Sequence, residues 1–304
     1  MTQTVLITGG TGMIGKRLTQ LLQEKGYEVA YLSRKQESIP NVKVYRWDVE
    51  KNWIDEKALV NADYIIHLAG AGIADGRWTD KRKQEIIHSR TSTIELIARE
   101  LQGRPYKVKA FVSASAIGFY GADTGDKRLT EQNSSGSDFL AHVTRHWENS
   151  SELISHEGTR TTKLRIGVVL SSTGGALPQI MLPIRWGIGA PLASGTQWVS
   201  WIHLDDLCRL FITALENEKW HGVYNAVAPS PVTNEELTRQ IADVLHRPLW
   251  MPNIPGLALR LLYGEMANVV LGGNYVVNQR IKNETDFQYQ FDTIHQALAD
   301  IAEK

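Results

Sequence analysis

Apolar positions along this chain fall into two alternating patterns: short unbroken runs, and longer stretches in which they recur every three or four residues. Thr4-Val5-Leu6-Ile7-Thr8 is the first run and reads as a buried strand, and Ile14, Leu18, Leu21 and Leu22 then repeat at helical spacing through the segment Lys16 to Lys25. Gly26 ends that helix. Tyr27 to Leu32 reads as a second strand, Val42 to Trp47 as a third, Tyr64 to Leu68 as a fourth, Lys109 to Ser113 as a fifth and Thr161 to Val169 as a sixth. Between the fourth and fifth lies a long helical region, Trp78 to Leu101, with Ile86, Ile87, Ile94, Ile97 and Leu101 forming an apolar stripe. Strands that alternate with helices predict an α/β fold built on a doubly wound parallel sheet.

The second half is patterned differently. Leu177 to Trp201 is rich in Pro, Gly and Trp, and Pro178, Pro183, Gly187, Gly189, Pro191 and Gly195 exclude any long helix there. Thr233-Asn234-Glu235-Glu236 is a capping box that opens a helix to Leu245. Pro252 to Gly264 contains a short apolar helix and Phe291 to Ala302 a last amphipathic one. These elements predict a smaller C-terminal substrate lobe, roughly residues 171–304, set against a nucleotide-binding domain of roughly residues 1–170 to which about 200–228 also contribute. Apolar residues that the small lobe cannot bury would serve a dimer, so a monomer and a homodimer both stay open.

Chemistry concentrates where the first strand meets the first helix. In Gly9-Gly10-Thr11-Gly12-Met13-Ile14-Gly15, Gly9 permits a tight turn, Gly12 lets backbone approach a pyrophosphate, and Gly15 allows helix to pack on strand. The helix N-terminus offers unpaired N–H groups to the phosphates. In that strand–turn–helix setting, the Rossmann arrangement, all seven residues are candidate cofactor contacts. An acidic residue about 20 positions beyond the glycines would bind the adenosine ribose, and this chain has none there. It has Ser33 and Arg34, which suit a 2′-phosphate, so the expected cofactor is NADP(H).

Further along, Asp48 and Val49 end the third strand, where an acid can accept from the adenine amino group. Leu68, Ala69 and Gly70 end the fourth, where small residues let backbone lie against the cofactor. Arg90 interrupts the apolar stripe of its helix. A buried-side arginine needs an anion, and a cofactor phosphate would supply one. Glu85, on the same helix, is a weaker candidate contact. His67 lies within an apolar strand and reads as a packed histidine. Ser115 follows the fifth strand, at the sheet edge where ligands bind.

Composition narrows the classes. The chain has 304 residues, with 33 Lys plus Arg against 33 Asp plus Glu, so its net charge is zero and no electrostatic nucleic-acid binder is expected. The single cysteine, Cys208, excludes an intrachain disulfide. No signal peptide is visible and no apolar run reaches the roughly 18 residues of a membrane span, so a cytoplasmic protein without membrane partners is expected. No metal site is assigned.

Taken together, Thr8-Gly9-Gly10-Thr11-Gly12-x-x-Gly15, Leu68-Ala69-Gly70, the segment Ser115 to Tyr120-Gly121 and Trp201-Ile202-His203-Leu204-Asp205-Asp206 resemble the extended short-chain dehydrogenase/reductases, the NAD-dependent epimerase/dehydratase superfamily. More specific blocks are Arg77-Trp78-Thr79, Ser89-Arg90, Trp147-Glu148, Gly174-Gly175-Ala176-Leu177, Trp198-Val199-Ser200, Ala228-Pro229-Ser230-Pro231-Val232 and His246-Arg247-Pro248. This set is similar to the atypical "epimerase family protein" group of YfcH, also labelled SulA-like, over essentially the whole chain. The resemblance implies NADP, a cover over the nicotinamide side from Gly167-Val168, and a small-molecule substrate such as a nucleotide-sugar.

It also implies a catalytic Tyr-x-x-x-Lys pair with Ser115 as the substrate-orienting serine. Where that pair should fall, the chain reads Phe139-Leu140-Ala141-His142-Val143-Thr144-Arg145-His146-Trp147-Glu148. Registering on Glu148 puts Leu140 at the tyrosine position and Thr144 at the lysine position, and neither can do the job. At about 100° per residue, His142 and His146 lie roughly 160° away from that face and read as surface histidines. Tyr120 and His203 read as a packed strand-end tyrosine and a loop-fixing histidine. Trp186, Trp198, Trp201 and Arg185 could meet a ligand from the second half. Two readings follow: an NADP-dependent oxidoreductase or epimerase-like enzyme with an altered proton donor, and a non-catalytic NADP-binding sensor or interaction protein linked to cell division.

Overall fold

The computed structural model describes residues 2–104, 108–156 and 158–303. Its strands are β1 (Thr4–Thr8), β2 (Glu28–Ser33), β3 (Val42–Asp48), β4 (Trp53–Ile54), β5 (Tyr64–His67), β6 (Ala110–Ala116), β7 (Gly125–Leu129), β8 (Arg160–Ile166), β9 (Val168–Leu170), β10 (Trp198–Val199), β11 (Trp201–His203), β12 (Gly222–Ala226), β13 (Val232–Thr233) and β14 (Asn274–Val276). Its helices are α1 (Met13–Glu24), α2 (Glu56–Val60), α3 (Asp80–Leu101), α4 (Phe139–His156), α5 (Leu177–Arg185), α6 (Leu204–Glu216), α7 (Asn234–Val244), α8 (Gly256–Tyr263), α9 (Asn268–Leu271), α10 (Gln279–Glu284) and α11 (Ile294–Glu303).

Eight strands form the main sheet in the order β12-β8-β6-β5-β1-β2-β3-β4. Every pairing is parallel except that of the two-residue β4, which runs antiparallel to β3 and is invisible in a hydrophobic pattern so short. The chain builds outward from β1 to β3 and then returns to place β5 on the other side of β1, with Leu6 opposite Ile65 and Ile7 opposite Ile66. That reversal opens a crevice at the C-terminal ends of β1 and β5, the switch point where ligands bind in such sheets. Val5, Leu6, Ile7, Ile65 and Ile66 are fully buried beneath it, as strands covered by helices require.

A second apolar cluster joins Leu177, Met181 and Ile184 of α5 to Leu237 and Ile241 of α7 and to Ile294, Leu298 and Ile301 of α11. The Thr233 hydroxyl accepts from the Glu236 N–H and opens α7 as the capping box requires. Pro178 sits in the first turn of α5, where its missing N–H costs nothing.

One expectation is corrected. The sixth strand, expected as a continuous Thr161 to Val169, is two strands. Gly167 breaks it, because a Cβ there would lie 2.4 Å from the Ser200 carbonyl oxygen. β8 stays in the main sheet while β9 leaves to pair with β11.

Candidate functional site

Parallel strands bring their C-terminal ends to one edge, so residues far apart in sequence converge. Gly9 to Gly15 follow β1, Ser33 and Arg34 follow β2, Asp48 ends β3, Leu68 to Gly70 follow β5, and Ser115 lies near the end of β6. Gly9 has φ +69° and turns the chain so that the Gly12 N–H donates to its carbonyl at 3.1 Å. A Cβ on Gly15 would lie 2.5 Å from the Gly10 Cα, which fixes how closely α1 approaches the turn. Gly12 is exposed at the N-cap of α1 with no side-chain cap, leaving the first helical N–H groups turned outward.

Thr8 holds this turn against its neighbour. Its buried hydroxyl accepts from both the Leu68 and Ala69 N–H groups at 3.1 Å, clamping the end of β5 to the end of β1. The sequence singled out Leu68 and Ala69 but gave Thr8 no task. Its signal was a polar residue closing an otherwise apolar strand. Arg17 of α1 forms two bonds to the Asp205 carboxylate, at 2.6 and 3.1 Å, and so fixes the glycine helix to α6. Met13 packs against Gly174 and Gly175, which brings the second half of the chain over the turn, and Val168 donates its N–H to Ser200 O at 2.8 Å.

The polar candidates differ in how committed they are. Arg34 is exposed, and the Ser33 hydroxyl accepts from the Lys35 N–H at 3.2 Å. Asp48 accepts from the Lys51 N–H at 3.1 Å and shapes the turn that contains Val49. Glu85 is exposed and bonded to Arg82 at 2.7 Å, while the other arm of Arg82 donates to the Gly72 carbonyl. Arg90 stands apart. It is 9% exposed, donates to the Ile86 carbonyl at 2.9 Å, lies over the Trp147 ring at 5.0 Å and packs on Gly70. Among the described residues no carboxylate pairs with it, and burial, with Arg82 nearby, pulls its pKa down to about 10.

His67 is fully buried with Nε2 at 2.9 Å from the Thr93 hydroxyl, so it is the packed histidine that the pattern indicates. Burial, then the charge of Arg90, lowers its pKa to about 3, which keeps the ring neutral.

Ser115, the serine that the resemblance assigns to orienting the substrate, is engaged within the fold. Its hydroxyl donates to Glu148 Oε1 at 2.6 Å, and it is 2% exposed. Glu148 is held in turn by Arg165 through bonds of 2.8 and 2.9 Å, and Arg165 donates to the Tyr120 hydroxyl at 3.0 Å. Tyr120 donates to Asn225 Oδ1 at 2.7 Å and is buried. Leu140 and Thr144 lie on one face of α4, against Gly118, and Thr144 returns its hydroxyl to the Leu140 carbonyl. His142 and His146 are exposed on the other side, with rings 4.3 Å apart. His203 accepts from the Asp205 N–H at 3.1 Å and caps α6. Trp201 is buried with its indole N–H on the Ser230 carbonyl, Trp198 donates to Asp126, and Trp186 and Arg185 are exposed.

Among the described residues no helix is long and apolar enough to cross a membrane, and no group of three or more His, Cys, Asp or Glu could hold a metal ion.

The fold and this edge have close counterparts. The model of the NAD dependent epimerase/dehydratase family matches residues 5–226, and a domain of unknown function, DUF1731, matches residues 254–301. The chain is 38% identical to the chloroplastic epimerase family protein SDR39U1 homolog of Arabidopsis thaliana, over 97% of this chain and 85% of that protein. It is 34% identical to human epimerase family protein SDR39U1, over 98% and 99% of the two chains. The crystal structure of human SDR39U1 isoform 2 with NADPH superposes with a TM-score of 0.89 at 33% identity, covering 99% of each chain. The UDP-glucuronic acid 4-epimerase of Bacillus cereus, solved with UDP-glucuronic acid and NAD, shares the fold with a TM-score of 0.78 at 15% identity, over 99% and 98%. With the glycine turn, the clamped ends of β1 and β5 and matches that span both halves, the chain belongs to the NAD-dependent epimerase/dehydratase family.

Proposed function

We propose that the chain is a cytoplasmic NADP(H)-binding protein of the oxidoreductase and epimerase type that works without the Tyr-x-x-x-Lys pair of its superfamily. The observation that carries this reading is Arg90, a buried cation beside Gly70 without a carboxylate partner among the described residues. An uncompensated buried charge is costly, and an anion at the crevice would relieve it. The residues fit the cofactor: Gly9 to Gly15 would cradle the pyrophosphate, and Ser33 and exposed Arg34 would receive the 2′-phosphate. Asp48 and Val49 would meet adenine, and Leu68, Ala69, Gly70, Glu85, Arg90 and Val168 would line the rest. When bound, NADPH supplies a hydride.

Ser115 would keep its lone pairs for a substrate hydroxyl, because its hydrogen is given to Glu148. That same commitment, with Leu140 and Thr144 in place of Tyr and Lys, favours a second reading: a non-catalytic NADP sensor or interaction protein, in line with the SulA-like label and a link to cell division.

Calorimetric titration of the cofactor-stripped protein with NADPH and NADH separates these readings from their failure. NADPH is expected to bind at least ten times more tightly than NADH, and Arg34→Ala is expected to remove that preference while leaving NADH unchanged. Equal loss of both would overturn the 2′-phosphate assignment. Tight NADPH binding with no oxidation of the cofactor by any carbonyl offered would favour the sensor.

A further inference from the structure

His142 and His146 lie on the face of α4 that turns away from Leu140 and Thr144, and the candidate site leaves both without a task. A spacing of four residues sets them one above the other on the helix, with Cβ atoms about 5–6 Å apart. Both side chains are exposed, and their rings stand 4.3 Å apart between centroids with planes at 65°. Among the described residues neither ring nitrogen is taken by another side chain or by backbone. Two imidazoles held one turn apart, close and not parallel, can each aim a lone pair at one common point.

The platform beneath them is rigid. The Asp138 carboxylate accepts from the Ala141 N–H at 3.0 Å and from the Ala122 N–H at 2.6 Å, which ties the first turn of α4 to the chain that follows Tyr120. Ala141, Val143, Thr144 and Trp147 are buried on the inner side of the helix. A pair of ligands on a packed helix is held more exactly than a pair on a loop. Arg145 stands between the two histidines in sequence, and its guanidinium reaches back to the Ser135 hydroxyl at 3.4 Å. Desolvation, followed by the charges of His146 and Arg145, lowers the His142 pKa and favours the neutral ring, the form with a lone pair to give. No third His, Cys, Asp or Glu joins the pair among the described residues. That sets aside a closed four-ligand structural site and a three-ligand catalytic one, and leaves a two-point chelate whose other positions stay with water. Imidazole nitrogen selects Zn²⁺, Ni²⁺ and Cu²⁺ over Mg²⁺ and Ca²⁺, which take oxygen.

We propose that His142 and His146 form a surface site for a divalent transition-metal ion, held by both imidazoles at once and separate from the cofactor edge. The proposal does not depend on the NADP(H) reading, because the pair stands on the face of α4 opposite to the one that packs on Gly118.

The test titrates the full chain, stripped of metal, calorimetrically with ZnCl₂, NiCl₂ and CuCl₂ and, separately, with MgCl₂ and CaCl₂. One equivalent of each transition metal is expected to bind, Cu²⁺ most tightly, with no binding of Mg²⁺ or Ca²⁺. His142→Ala and His146→Ala, both at exposed positions, are each expected to weaken Zn²⁺ by about tenfold or more, because the second imidazole of a chelate acts at high effective concentration. The double variant is expected to lose little beyond either single one, as two ligands on one ion require. NADPH affinity is expected to stay unchanged in all three variants and in the presence of Zn²⁺. Single variants that lose half the bound metal at unchanged affinity would mean two independent imidazoles and would overturn the proposal. So would Zn²⁺ binding that is indifferent to both variants, or that is seen only at millimolar concentration. Zn²⁺ that displaces NADPH would place the ion at the cofactor edge and overturn the separate site, whereas one equivalent of Zn²⁺ lost with either histidine in a protein that does not take up NADPH would support the metal site and remove the cofactor reading.

Discussion

An added Cβ at Gly15 would lie 2.5 Å from the Gly10 Cα, whereas along α8 the leucines at 257, 261 and 262 are all more than half exposed. In the glycine turn the backbone itself is the working surface, and its geometry dictates which residue can stand at each position. In α8 the surface is exposed leucine side chain. The first arrangement writes a spacing into the sequence; the second writes only a composition.

The contrast is sharpest when the tightest part is broken. Arg165→Met leaves the Glu148 carboxylate buried without its partner and is expected to cost about 3–5 kcal/mol, measured by urea unfolding; the double change with Glu148→Leu should recover most of it. Recovery of nothing would mean that the pair is not the unit that matters.

Gly15→Ala drives a methyl group into backbone that cannot yield, for a loss of about 1–3 kcal/mol and of NADPH binding together. An Ala variant that binds NADPH normally would refute the close approach.

His67 gives a pH window. Its folded pKa, near 3, lies below the usual 6.5, so above pH 6.5 both states hold a neutral ring and it has no effect. As pH falls from 6.5 toward 3 the unfolded chain binds a proton that the native ring refuses, and stability drops by up to about 1.4 kcal/mol per pH unit. His67→Gln is expected to flatten that part of the stability profile.

At the other extreme, Leu261→Ser removes a side chain that covers nothing and should change stability by no more than about 0.5 kcal/mol. A loss of several kcal/mol would show that the helix is packed in solution and would dissolve the comparison.

Legibility followed the same division. Val5 to Ile7 and Ile65 to Ile66 could be placed because strands covered on both faces tolerate no polar interruption. Thr161 to Val169 could not be divided correctly, because the break at Gly167 depends on Ser200, whose carbonyl closes on it from another part of the chain. Arg90 was readable as a misplaced charge on an apolar stripe. Ser115 was placed near the end of its strand at the ligand edge of the sheet, but its bond to Glu148 was not readable, since that acceptor stands 33 residues away on α4.

Sequence by itself determined the parallel α/β sheet and the glycine turn, because each follows from local sterics or residue identity. Tertiary structure alone decided that Thr8 clamps β5, that Ser115 serves Glu148, and that the apolar helix α8 lies uncovered. Those facts depend on which distant groups meet, and hydrogen bonds and burial across a fold leave no period in the chain that makes them.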